Sequence, residues 1–359
     1  MVDNLYVHFP FCRRKCSYCA LYSRAGVSSS DRDAYVRRLA AELGELTRGG
    51  AGRPRLGTLK TVYFGGGSPA LCDLRLLSDA LRPHLDGNTE FTVELHPLDV
   101  TDVTLQMLAD LGVNRISMGV QSLDDDVLAD MGRGYAVDAA ERAFARIRRC
   151  FDNAGIDLIV GYPPPYADRP AGRLDAGLSR LKNWGLRHCS VYSLMLEEKT
   201  RLWRQYGPDA PQTRRLPSDD ETLDALGEVA AFLAELGLRR YEISNYAVPG
   251  FECRHNLAVW RGEDYLGLGD GASGRLGRKR TSVENGVCVV QEVDSLTDRK
   301  ERALFRLRTR DGLDATGFPE WGQALEKFVN EGLLTRNGDT YLLTDRGMEV
   351  CDSILVELV

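Results

Sequence analysis

Six short apolar runs recur between residues 5 and 195, each followed by a stretch with helical periodicity. They are LYVHF (5–9), TVYFG (61–65), FTVEL (91–95), RISMGV (115–120), IDLIV (156–160) and HCSVYSLM (188–195). They are apolar nearly throughout. That fits parallel strands buried on both faces, not strands with one wet face. The segments between them, such as DRDAYVRRLAAELGEL (31–46) and AVDAAERAFARIRRC (136–150), are long enough for crossover helices. Six such units predict an α/β chain with a partial (β/α)6, TIM-like barrel. A Rossmann sheet is the alternative, but no G-x-G-x-x-G follows the first run.

A chain of 359 residues has room for such a barrel and a smaller second domain. Its net charge of -6 argues against nucleic acid as the main partner. No stretch approaches the length of a membrane span, and no basic segment with an apolar core opens the chain. The expectation is a cytoplasmic protein without an integral membrane segment. In that compartment nine cysteines make a poor disulfide framework. Cys72, Cys150, Cys189, Cys288 and Cys351 read as buried small apolar residues. Cys253 lies two residues from a histidine.

Cys12, Cys16 and Cys19 form a C-x3-C-x2-C cluster directly after the first run. Close spacing in a cytosolic chain points to metal. A structural zinc site needs four ligands, for which His8 is the candidate fourth. A redox pair of Cys16 and Cys19 leaves Cys12 unexplained. Three thiolates on a four-iron cluster leave one iron open to a substrate.

Barrel chemistry sits past the C-terminal ends of the strands. The second run ends in Gly65-Gly66-Gly67-Ser68, where a ligand can approach the backbone closely. The third ends at Glu94, and the fourth at Gln121 and Ser122 with Arg133 beyond. The fifth carries Asp157. Each alone reads as a turn, cap or surface residue; together they make a polar ring above one barrel mouth.

YVHFPFCRRKCSYC, YFGGGSPALC, VNRISMGVQSLDDDVLADMGR and DLIVGYPP resemble the oxygen-independent coproporphyrinogen III oxidase (HemN)-like branch of the radical S-adenosylmethionine (SAM) superfamily. The resemblance runs from about Tyr6 to about Gly274. It implies a [4Fe–4S] cluster on Cys12, Cys16 and Cys19. It also implies a SAM pocket lined by Tyr6, Tyr18, Gly66, Gly67, Ser68, Glu94, Gln121, Arg133 and Asp157. The oxidases carry an N-terminal extension and a further cysteine, C-x3-C-x2-C-x-C. Here four residues precede Leu5, and Ala20-Leu21 follow Cys19. Both features resemble the HemW subgroup of heme chaperones, which implies heme as a further ligand. The subgroup's His-Asn-x-x-Tyr-Trp signature appears as His255, Asn256, Val259 and Trp260, and Ser273 stands where a later histidine is expected. His255 is then the expected heme ligand. A heme-accepting protein, an electron donor and a homodimer are the implied partners. A catalytic radical SAM enzyme acting on a tetrapyrrole or another substrate is the alternative.

Domains are expected at 1–215 (barrel), 216–293 (an extension carrying HNLAVW) and 294–359 (a winged-helix-like α+β cap). Proline-containing residues 207–220 read as an exposed loop. In the last segment, Asn337-Gly338 marks a hairpin turn and Thr344 a helix cap. Its helices are not basic, so it reads as a cap that helps close the active site.

Overall fold

The apolar runs become six parallel strands: β1 (Val2–Phe9), β2 (Leu56–Gly66), β3 (Glu90–Leu95), β4 (Arg115–Gln121), β5 (Asn153–Val160) and β6 (His188–Ser193). Each pairs with the next in chain order. The computed structural model describes residues 1–49, 54–163, 175–210 and 216–359. Val7, Phe64, Val93, Ile116 and Ala154 lie opposite one another across five strands, and all are fully buried. That row explains why the runs lack polar alternation.

Helices cover the outer face. Ser29–Arg48 buries Tyr35, Val36, Leu39, Leu43 and Leu46, which recur at helical spacing. The Ser28 side chain caps it by accepting from the Asp31 amide. Asp219–Glu235 starts with a reciprocal capping box between Ser218 and Glu221. Its apolar face belongs to the same core as β5 and β6. The expected extension is therefore partly barrel wall. The 215/216 boundary abuts residues 211–215, which lie outside the described residues, as does the middle of the 207–220 loop.

The sheet is completed at both edges. Leu266–Leu268 runs parallel beside β1, while Asn245–Ala247 runs antiparallel beside β6, with Arg239–Arg240 beyond it. Residues from β2 through β6 line one cavity, so the sheet curls into a partial barrel. A three-stranded meander (Ser273–Leu276, Lys279–Glu284, Val287–Glu292) follows; the sequence reading did not anticipate it.

The C-terminal segment has its own core around Trp321, Leu325 and Ile354. Helices Ser295–Leu307 and Gly322–Asn330 precede the hairpin Leu334–Asn337/Thr340–Leu343. Thr344 caps the next helix, accepting from Gly347 N at 3.0 Å. Two outcomes differ from expectation. Among the described residues this module contributes nothing to the cavity at the strand ends. It packs beside helix Arg254–Trp260, through Arg261–Asp311 at 2.6 Å and Trp260 against Phe305, and its residues 348–353 share a neighbouring cleft with Ser193 and Leu194 of the cavity wall. Also, Cys150 and Cys288 are exposed, because the first ends a helix and the second lies on an edge strand.

Candidate functional site

A cavity of about 760 Å³ opens at the C-terminal ends of the strands. Its wall holds Cys12, Cys16 and Cys19 from the loop after β1, with Tyr18 between them. Gly66 ends β2 and Gly67 and Ser68 follow it, Glu94 comes from β3, Gln121 from β4 and Asp157 from β5, and Arg133 completes the ring. The chain brings all of these together from positions up to 145 residues apart in sequence (12 to 157).

The cysteine loop is held by backbone bonds that need no metal. Ser17 N donates to Met131 O at 3.0 Å, and Leu202 N donates to Ser17 O at 2.8 Å. The buried Ser17 hydroxyl meets Tyr162 Oη at 3.0 Å. Arg13 reaches Asp99 at 2.5 Å, tying the loop to the segment after β3. Burial pushes the Cys12 and Cys19 thiols up. A metal centre would therefore deprotonate them on binding. Arg133 Nη1 lies 3.4 Å from Cys16 Sγ. His8 has no nitrogen free for a metal: Nδ1 bonds Tyr6 Oη at 3.0 Å and Nε2 bonds Tyr22 O at 2.9 Å. The fourth ligand of the zinc alternative is thus already engaged. Among the described residues no three His, Cys, Asp or Glu side chains converge on a single-ion site. A cluster does not need that, because its thiolates bind separate irons. The donor set, three thiols in one cavity wall, fits a cluster with one open iron.

The glycines are required by close approach. A Cβ on Gly67 would lie 2.4 Å from Phe11 O, and one on Gly66 would lie 2.4 Å from the His8 ring. Gly67 N and Ser68 N donate to Phe9 O and Phe11 O, locking the β2 exit onto the cysteine loop. Glu94 accepts from Tyr63 Oη at 2.9 Å and from Gly66 N at 3.0 Å. Burial, and then nearby Asp157, push its carboxyl up to about 7. Burial also raises Asp157, which accepts from Ser117 Oγ at 2.9 Å. Gln121 follows a register irregularity in β4 and has φ 73, a left-handed conformation at the cavity wall. Arg133 also donates to Gly119 O at 2.5 Å and to Tyr135 Oη at 3.1 Å.

Two expected site residues are not in this wall. Tyr6 lies lower in the barrel, its ring centroid 6.0 Å from that of Tyr63 and its hydroxyl 3.0 Å from His8 Nδ1. His255 lies at the N-terminal ends of the strands, on helix Arg254–Trp260. It is 4% exposed, bonds Thr61 Oγ1 through Nδ1 at 2.8 Å and packs on Tyr63 at 5.2 Å. Burial lowers its imidazole to about 3. Its amide donates to Glu90 Oε1 at 3.1 Å. The ring is packed at the N-terminal ends of the strands, away from the cysteine cavity. Cys253 beside it is fully buried.

Several wall residues escaped the sequence reading: Arg13, His96, Leu98, Tyr192 and Met195. They lie in irregular segments or at strand tips, where apolar residues look like ordinary strand ends. Leu98 is 43% and Met195 is 70% exposed at the mouth.

Residues 6–170 match the Radical SAM superfamily model. The heme chaperone HemW of Mycobacterium tuberculosis is 31% identical, over 99% of this chain and 94% of that protein. This chain belongs to the HemW family. The Bos taurus protein named radical S-adenosyl methionine domain-containing protein 1, mitochondrial, is 33% identical over 94% of this chain and 74% of its own length. The coproporphyrinogen III oxidase HemN of Escherichia coli shares the fold, with a TM-score of 0.80 at 21% identity, over 99% of this chain and 89% of that one. The HemW-family assignment agrees with the three-cysteine motif and the polar ring. No helix of the described residues is long and apolar enough to cross a membrane.

Proposed function

We propose that this HemW-family chain holds a [4Fe–4S] cluster on Cys12, Cys16 and Cys19 and takes SAM into the adjoining cavity. We further propose that it binds heme or a related tetrapyrrole at the cavity mouth. The observation that carries the reading is one cavity shared by three thiols and polar side chains from successive strand ends. When bound, the cluster supplies one-electron cleavage of a SAM carbon–sulfur bond. The protein's own groups bind and orient. Glu94 and Asp157 offer carboxylates to the amino and ribose groups of SAM, and Gln121 offers its amide. Arg133 would face the SAM carboxylate while steadying Cys16. An external reductant must supply the electron, and a heme-accepting partner and a homodimer remain part of the proposal.

The relatives named heme chaperones support the tetrapyrrole ligand. Burial supports a place at the mouth: His255 is enclosed, whereas Leu21, Leu98 and Met195 present an apolar lip beside the cysteines. A flat apolar macrocycle can cover that lip, with the Met195 thioether an accessible soft ligand for iron. Anaerobic titration of reconstituted protein with heme, followed by absorption, tests this. His255→Ala should bind as the parent does, and Leu98→Glu/Met195→Glu should lose saturable binding. The reverse pattern would return the ligand to the closed end. Cys16→Ala should lose cluster iron and sulfide; full retention would sink the ligand assignment.

A second reading has one observation behind it. The cavity is large enough for SAM and a further substrate, as a catalytic radical enzyme requires. Release of 5′-deoxyadenosine coupled to loss of a tetrapyrrole would select that reading over carriage.

A further inference from the structure

The mouth of the cysteine cavity is chemically uneven. One side of it is built from two segments, the cysteine loop and the turn His96–Asp99 that follows β3. Arg13 pins the two together through Asp99 at 2.5 Å. Leu98 stands exposed on this side, with Arg13, Arg14 and His96 as its polar companions in the cavity wall.

All three polar groups present donors. A guanidinium has donors and no acceptor. His96 Nδ1 accepts from Leu98 N at 3.2 Å, so that nitrogen carries no hydrogen. The ring hydrogen is therefore on Nε2, which has no partner among the described residues. That tautomer makes His96 a donor toward the cavity and not a ligand to iron, which would need a bare Nε2. Arg14 is exposed, and among the described residues it meets no carboxylate. A Cβ on Gly132 would lie 3.6 Å from its Cδ, so its stem crosses that turn at the cavity wall. Asp99, the carboxylate of this side, is 3% exposed and taken by Arg13.

The cavity wall holds three arginines and three carboxylates, but they are sorted by place. Arg133 is buried and bonded to Gly119 O and Tyr135 Oη. Glu94 and Asp157 sit within β3 and β5 and have donors of their own, Tyr63 and Ser117. Glu197 lies past β6, and among the described residues no ion pair joins it to Arg13 or Arg14. Exposed arginines on a plain polar surface are satisfied by water. Here the neighbour is the apolar lip, and a ligand that covers Leu98 also displaces that water.

Building on the mouth site for a tetrapyrrole, we propose that this side selects a macrocycle with carboxylate side chains: its apolar face lies on Leu98, and its carboxylates meet Arg14 and the Nε2–H of His96. Covering Leu98 with an uncharged macrocycle would strip water from the donors and return no anion to them. A small hydrophilic anion would satisfy the donors and leave the lip uncovered. A macrocycle with charged edges does both.

The test uses the cluster-reconstituted full chain with two probes, heme and its dimethyl ester, titrated anaerobically in the same detergent and followed by absorption. The expected result is saturable heme binding, with the ester weaker by about tenfold or more. In Arg14→Gln and in His96→Phe, heme affinity should fall toward that of the ester, and ester affinity should stay as it is. General damage to the fold would weaken both probes alike and would not move this ratio. Arg14 is exposed, so its variant answers the question if His96→Phe fails to fold. Equal binding of acid and ester by the parent, or an undiminished ratio in either folded variant, would overturn this inference and leave the tetrapyrrole site standing. No saturable binding of either probe would overturn both.

Discussion

The carboxyl of Glu94 shows what one residue's setting does to the whole chain. Its ordinary value of 4.5 is raised to about 7, first by burial and then by Asp157. Between those values the folded chain keeps a proton that the unfolded chain has released. Stability therefore declines as pH rises through this window and levels off above it. Asp157, raised by burial, acts in the same direction. Thermal unfolding of ligand-free protein should show that decline, and Glu94→Gln should make it shallower. An identical slope in the variant would mean that Glu94 is not the titrating group. Gly67 makes a different demand. The 2.4 Å approach to Phe11 O leaves no room for a methyl group. Gly67→Ala should destabilise by about 1–3 kcal/mol through overpacking, read as a lower denaturant midpoint. An unchanged midpoint would show that the β2 exit can yield.

Elements differ in how much of them the residues announce. The six barrel strands were legible because an apolar run buried on both faces has few other places to go. Glu94, Gln121 and Asp157 stood out only together, as polar residues within or at the ends of successive runs. Helix Arg254–Trp260 was legible as a segment but not in its placement. Nothing local to His255 says that its ring will be enclosed by Tyr6, Tyr63 and Thr61, residues some two hundred positions away. The meander was missed because its last strand is exposed along its whole length and carries no burial pattern. The cysteine loop was legible as chemistry, while the bonds that hold it come from distant partners. Tyr162 Oη serves both Ser17 at 3.0 Å and Asp130 at 2.9 Å. Tyr162→Phe would leave the buried Ser17 hydroxyl unpaired, a cost of about 1–3 kcal/mol. Reconstituted variant protein should lose cluster iron faster under a chelator. Equal loss would show that the loop needs no such tether.

At the scale of the whole molecule the two largest cores among the described residues are one in the barrel and one around Leu325, with two small satellite clusters. Leu325 is fully buried, and Leu325→Ala should cost about 2–5 kcal/mol. If the C-terminal module is the separate unit its core implies, that variant should lower an early thermal transition and leave SAM affinity unchanged. Loss of SAM affinity would show that the module acts on the cavity after all.

The closed end of the barrel has a consequence in time. With His255 and its helix seated against Tyr6 and Tyr63, the described residues fill the far end of the barrel and leave the strand tips to be approached from the mouth beside Leu98 and Met195. A well approached from its mouth fills from the bottom. A macrocycle resting on Leu98 and Met195 would trap whatever had entered before it and turn away whatever came after. Traffic is then queued, first in and last out, without any part of the chain having to move.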